Sequence, residues 1–443
     1  MKITIGKASI LLFILAFLAM IAACFSPWEG DGATGTVIIS VSGSTGRATT
    51  IPYPPGPGAT PLEDIVHVVT FTRPGASPVS RTFTGATTGP ITLSTGIWSL
   101  NVIAYENEAD RVADPPSPYA QGSGSVNVAA NTNTPASVWM APVFPASSSN
   151  IWLQTPANVI IDDHTTLAAA LGAITTQGAY TIWFTDDPDP LAVNPYDLAS
   201  VPTGVTITLR TTKSGGVNVQ LNAAGSLFTV PTDITLVLTS GVNLVGDSDN
   251  TSPLINVNGG TFNMNGGSII NNGSASTKPF NGGGVFVDSG TFNMSGGTIS
   301  GNYADNGGGV AVNGGTFTMN SVSEIVNGIT VVRSGSISGN EAIDGGGVAV
   351  NGGTFTMSGG SISGNRAAET NLSDGNGGGV YVGFAGIFSK TGGTIYGGNA
   401  GLNSNTSQYG NAVYVTWVGT SDITYRTEKV ENNDLVGNFS SED

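Results

Sequence analysis

Apolar residues recur at every second position through most of this chain, the mark of half-buried β-strands. Between residues 35 and 143 the alternating stretches are "TVIISVSG", "DIVHVVTFTRPG", "RTFTG", "GPITLSTGIWSLNVIAYE", "GSVNVAA" and "ASVWMAPV", parted by clusters of Gly, Pro and Asn. In "GIWSLNVIAYE" the period places Trp98, Leu100, Val102 and Ala104 on one face. Short strands with turn signals at this spacing predict an antiparallel β-sandwich over 35–143. "FPASSSN", 144–150, follows as a linker, and residues 151–443 form the second predicted unit. It begins on a different period. In "DDHTTLAAALGAITTQG", Leu167, Leu171 and Ile174 fall at i, i+4 and i+7, which predicts a short capping helix with Thr165 or Asp163 as its N-cap and Gly178 as its stop.

Short strands then resume, and from about residue 255 to 415 the alternation becomes a repeated phrase: a "GTFxM" strand, a "GSISGN" strand and "GGGVxV". The glycine opening the first phrase stands at Gly260, Gly290, Gly315 and Gly353, and as "GIF" at Gly386, at intervals of 30, 25, 38 and 33 residues. Constant phrases at varying intervals put the length changes in loops. The longest interval holds "SVSEIVNGITVVR", 321–333, an insertion between the first two phrases. If each cycle is one turn of a solenoid, equivalent residues stack at about 4.8 Å. Five apolar ladders follow: Phe262, Phe292, Phe317, Phe355 and Phe388; Met264, Met294, Met319 and Met357, broken by Lys390; Ile269, Ile299, Ile337, Ile362 and Ile395; and two of valine, Val285, Val310, Val348, Val380, Val413 and Val287, Val312, Val350, Val382, Val415. Asn272, Asn302, Asn340 and Asn365 share one position after the Ile and predict a stacked amide ladder at a corner. Gly triplets such as Gly345, Gly346 and Gly347 provide the turns.

"GGGV" followed a turn later by "ISGN" resembles the GGA(I/L/V) and FxxN pair of the polymorphic outer membrane protein repeats. Gly379 and its equivalents replace the Ala of that pattern, and Ile replaces its Phe. The resemblance implies a right-handed parallel β-helix. The amino-terminal strands similarly resemble, in pattern, the immunoglobulin-like or prealbumin-like spacer modules of envelope proteins. Unlike typical members of the repeat family, the chain shows no carboxy-terminal autotransporter barrel. The tail "DITYRTEKVENNDLVGNFSSED" is more charged and lacks the repeat, as a terminal cap should.

Composition sharpens this division. Of 64 glycines, 44 follow residue 240, so the two halves are built differently. Charged residues make up 10% of the chain and the net charge is -16. An acidic, Lys-poor surface repels phosphate backbones, which argues against nucleic acid as a partner. The start "MKITIGKASILLFILAFLAMIAAC" has a basic opening (Lys2, Lys7), an apolar run from Ile10 to Ala23, and small residues before Cys24, the layout of a secretory signal. Its "IAAC" resembles a lipobox, with Ile21 where that pattern prefers Leu, and so implies cleavage after Ala23 and diacylation of Cys24. Cys24 is the only cysteine, which fits a thiol kept for lipid. Residues 1–23 are then a lipoprotein signal peptide and 24–34 a polar tether. Phe25 and Ser26 lack the Asp that marks inner-membrane retention in the best-known sorting rule, which favours the outer membrane of a diderm cell envelope.

No constellation of residues declares a chemistry. Asp162, Asp163 and His164 are adjacent and do not converge on one point; Asp186, Asp187 and Asp189 lie in the Pro-rich "DDPDP"; His67 sits on an alternating strand and reads as packing. Asp305, Asp344 and Asp374 precede Gly triplets and could line one edge as a Ca²⁺ row. Outward positions form rows: Thr261, Thr291, Thr316, Thr354; Asn263, Asn293, Thr318, Thr356; and Ser268, Thr298, Ser336, Ser361, Thr394, with Phe286, Tyr381 and Tyr414 as isolated aromatics. These expectations favour a non-catalytic, adhesin-like surface protein, anchored in the membrane by lipid and binding a glycan or a surface protein, with no cofactor. Two readings compete: a pectate lyase-like polysaccharide lyase or hydrolase, and an ice binder, for which only Thr316/Thr318 and Thr354/Thr356 form complete Thr-x-Thr pairs among these rows.

Overall fold

The computed structural model of the chain describes residues 34–42, 65–142, 151–416, 424–426 and 438–439, with short breaks at 86, 106–107, 114–119, 157–159, 186–190, 214, 327–328, 369–374 and 399–400. The signal segment, Cys24, the linker 144–150, the "DDPDP" acids and Asp374 therefore lie outside the described residues. The fold is all-β, with two short α-helices among the described residues. No helix among the described residues is long and apolar enough to cross a membrane.

Residues 34–142 make two sheets. One orders Ile91–Ser94, Thr34–Ser42 and Asn133–Trp139; the other orders Val79–Thr84, Val66–Thr72, Gly96–Tyr105, Ala120–Val128 and Ala141–Pro142. Alternate residues of both sheets meet in one buried cluster, in which Val37, Ile39 and Val138 come from the first sheet and Phe71, Trp98 and Leu100 from the second. Apolar burial on one face and polar exposure on the other is what holds such strands in register. One pairing departs from the antiparallel expectation. Thr34–Ser42 runs parallel to Asn133–Trp139, from Thr36 beside Asn133 to Ser42 beside Trp139. Hairpin turns impose antiparallel pairing only on strands adjacent in sequence, and these two are the first and penultimate strands of the unit. His67 is fully buried and stacks on Phe83 at 4.8 Å.

From Gly178 onward the chain repeats three strands, here called the Val, Phe and Ile strands after their buried residues. Each pairs in parallel with its equivalent one repeat later. On the Phe strand the pairing links eight levels, from Gly178–Phe184 through Val205–Thr211 and Thr235–Leu238 to Ile387–Ile395. Seven steps of about 4.8 Å make a stack about 34 Å long. Phe262, Phe292, Phe317, Phe355 and Phe388 lie one above another, with ring centroids 5.1, 4.7, 4.5 and 5.0 Å apart and nearly parallel planes. Ile269, Ile299, Ile337, Ile362 and Ile395 form the ladder of the Ile strand. Valine pairs from Val285/Val287 to Val413/Val415 form that of the Val strand. The stack thus begins about three levels before the phrase becomes explicit. There Ile207, Leu236 and Leu244 occupy positions later taken by Phe and Ile.

Corners are held by glycine and asparagine. In the triplet after Asp344, Gly345 has φ +67°, and a Cβ on Gly347 would lie 2.6 Å from the Gly379 carbonyl oxygen of the next level and 2.9 Å from Cγ2 of Ile362. No alanine fits there without a shift of its neighbours. In the last level, with no parallel level beyond it, Ala412 takes this place and is fully buried. The asparagines form a buried ladder: the side-chain amide of Asn340 accepts from the backbone N–H of Asn302 at 3.1 Å and donates to Asn365 Oδ1 at 2.9 Å and to the Ile299 carbonyl at 3.0 Å. Asn250 and Asn405 extend it at the two ends.

The expected capping helix is not what covers the first level. Ile151–Gln154 pairs antiparallel with Gly178–Phe184 and with Ile160–His164. Another strand satisfies an edge strand's N–H and C=O groups in register, and here a hairpin does so. The predicted helix exists as six residues, Leu167–Gly172, capped by Thr166, whose Oγ1 accepts from the Ala169 N–H at 3.1 Å; Leu167, Leu171 and Ile174 are buried in the core of the stack. At the far end Thr424–Arg426 pairs antiparallel with Val413–Val415, and Asn438–Phe439 with Phe388 and Ser389.

Candidate binding surface

Because inward residues alternate with outward ones, the register that stacks the core also stacks the surface. Outside the Phe strand, Thr206, Thr235, Thr261, Thr291, Thr316 and Thr354 stand in six consecutive levels. Two residues along the strand a second row runs Thr181, Thr208, Val237, Asn263, Asn293, Thr318, Thr356, Ser389. The threonines of the first row are partly exposed, Thr316 most. Neither row holds a charge, and Asn293 Nδ2 donates to Asn263 Oδ1 at 2.9 Å. Sequence comparison alone found only the last four threonines of the first row, because upstream of Gly260 the "GTF" phrase that marks them is missing. With Thr206/Thr208 the face has three complete Thr-x-Thr pairs.

Of the expected Ca²⁺ row, Asp374 lies outside the described residues, and Asp305 and Asp344 do not stand level with one another. Among the described residues no group of three or more His, Cys, Asp and Glu side chains converges. Asp305 and Asp344 are not equivalent in register. The residue level with Asp344 is Asn306, and the row runs Asn281, Asn306, Asp344, Asn376, Tyr409. Asp305 instead pairs with Lys278 at 3.5 Å. Asn306 intervenes between Asp305 and its glycine triplet, so Asp305 stands one residue out of register with Asp344.

Asp344 is thus a lone carboxylate in a row of amides. Asn376 Nδ2 donates to its Oδ1 at 2.9 Å. Burial pushes its carboxyl above the usual range, against the lowering effect of the Asn376 side-chain and backbone hydrogen bonds. On the Val strand, between its inward valines, the neighbouring row is Asn256, Phe286, Ala311, Ala349, Tyr381, Tyr414, of which Ala311, Ala349 and Tyr414 are buried. Tyr381 and Tyr414 are not isolated: their rings stack at 5.9 Å with planes 8° apart. Burial raises both phenols, and the Asp344 charge raises them further. Tyr381 also hydrogen-bonds the Thr416 side chain. Tyr409, which continues the Asp344 row, is 44% exposed and accepts from Gln408 Nε2 at 3.2 Å.

The insertion forms a two-stranded antiparallel ribbon, Ser321–Val326 with Ile329–Ser334, leaving the corner between the Phe and Ile strands; Val322 and Val332 on it are exposed. His164 ends a strand of the amino-terminal hairpin, with the side chains of Asp162 and Asp163 outside the described residues. Comparison with family models, with curated proteins and with solved structures finds no match to this chain.

Proposed function

We propose that this chain is a lipid-anchored cell-envelope protein, attached through Cys24, whose sandwich-like amino-terminal unit carries a right-handed parallel β-helix that binds a surface glycan or protein without catalysis. One observation carries this reading: two uncharged rows held in register, one of threonine over six levels and one of hydroxyl and amide side chains interrupted only at Val237. Such a surface repeats one weak contact many times, and repetition of weak contacts along one ligand multiplies affinity. It suits an extended, repeating partner better than a small molecule. The parallel pairing of three strand types at each level supports the β-helix, and the cluster shared by two sheets supports the sandwich.

The test is incubation of the chain with a panel of neutral, amino-bearing and acidic polysaccharides and with envelope extracts, following both bound fraction and polymer length. Retention of at least one glycan or protein with polymer length unchanged is the expected result. Shortening of a polymer would replace binding with catalysis, and retention of nothing would remove the binding function.

A further inference from the structure

We propose that Asp344, Asn376, Tyr381 and Tyr409 form a subsite for a glycan carrying free amino groups, with the buried Tyr414 backing Tyr381. This rests on the glycan-binding reading and names the sugar class. Both neighbours of Asp344 in its row, Asn306 and Asn376, are amides, and an asparagine at 344 would keep the row without a half-buried charge. The carboxylate therefore costs stability where an alternative is present one level away on either side. Carboxylates perturbed by burial cluster at functional sites. Among the described residues no basic side chain pairs with it, since Lys278 is engaged by Asp305 and Arg366 by Glu341.

What would offset that charge is a cation supplied by a ligand. The aromatic neighbours narrow its kind. Tyrosine faces attract ammonium groups and pack against the apolar face of a sugar ring. Asn376 and Gln408 offer hydrogen bonds for hydroxyls. A single carboxylate is too few ligands for Ca²⁺, which takes six to eight oxygens. The net charge of -16 attracts cationic polymers and repels uronates.

The experiment is calorimetric titration of the full chain, at physiological salt, with a glucosamine hexamer, the N-acetylated hexamer and an oligolysine of equal charge. Three proteins are compared: the parent, Asp344→Asn, and Asp305→Asn, which changes net charge equally but lies outside the row. The expected result is at least tenfold tighter binding of the glucosamine hexamer than of its acetylated counterpart, lost in Asp344→Asn and kept in Asp305→Asn. The Asp344→Asn chain is expected to melt at or above the parent's temperature at neutral pH, so that loss of binding is not loss of fold. Equal binding of the two hexamers, no binding of either, or equal losses in both variants would overturn the subsite. Oligolysine binding as well as glucosamine would overturn the sugar assignment in favour of a protein lysine. Neutral polysaccharides still retained by the chain would leave the broader glycan reading standing when the subsite fails.

Discussion

Asn340 holds three levels together at once: its side chain accepts from the Asn302 backbone below and donates to Asn365 above and to the Ile299 carbonyl. Being almost fully buried, it cannot exchange these partners for water. Truncating it orphans groups on neighbouring levels, so Asn340→Ala is expected to cost about 2–4 kcal/mol, as lost bonds and stranded partners add. Chemical denaturation of the parent and variant checks this, and a cost below about 1 kcal/mol would show that the ladder is incidental. His67 makes a second test at this scale. Burial lowers its pKa from the usual 6.5 to about 4, opposed by a hydrogen bond with the Ile65 backbone. The folded state therefore binds the proton less readily than the unfolded chain. Its contribution is full above pH 6.5 and is lost as pH falls toward 4, by up to about 3 kcal/mol. In a pH series of unfolding curves, His67→Phe should remove that part of the acid sensitivity; identical pH slopes in parent and variant would contradict it.

At the scale of the element, the corner turns and the inserted ribbon behave differently. Gly347 is pressed against the next level, whereas Ala412 occupies the same place in the last. Gly347→Ala is expected to destabilise by about 1–3 kcal/mol through overpacking, and Ala412→Gly by about 1 kcal/mol through one lost methyl. Thermal midpoints of the two variants read this asymmetry directly. The ribbon adds no residue to the ladders. Replacing Ser321–Ser334 by one glycine leaves "MNGGS" at that corner, the wording found at Met264–Ser268. Stability is expected to change by no more than about 0.5 kcal/mol, as for surface changes away from packed features. A large loss on excision would mean that the ribbon buttresses the stack.

For the whole molecule, the two ends of the parallel stack matter as much as its middle. Antiparallel strands cover the first level and the last, which leaves fewer free edges for another chain to join. Anchoring is the remaining whole-molecule property. On the proposed route, Cys24→Ser is expected to move the protein from the membrane fraction to the soluble one and to abolish labelling by a fatty-acid analogue. Unchanged partition between the fractions would remove Cys24 as the anchor.

Sequence by itself determined the alternation, the ladders of Phe, Ile, Val and Asn, and the corners of each level, because every one of these depends on equivalent residues meeting one repeat apart. The helix of Leu167–Gly172 was legible from its period, although its cap is Thr166 and its role as the end cover belongs to a hairpin. Only the tertiary structure decided the parallel pairing of Thr34–Ser42, the three early levels, and the covering of both ends. Backbone hydrogen bonds made these choices, and they leave little side-chain signature. The same holds for the row that puts Asp344 level with Asn306 and Asn376. Its register was set by strand pairing across loops of unequal length, so one intervening residue in the sequence was enough to hide it.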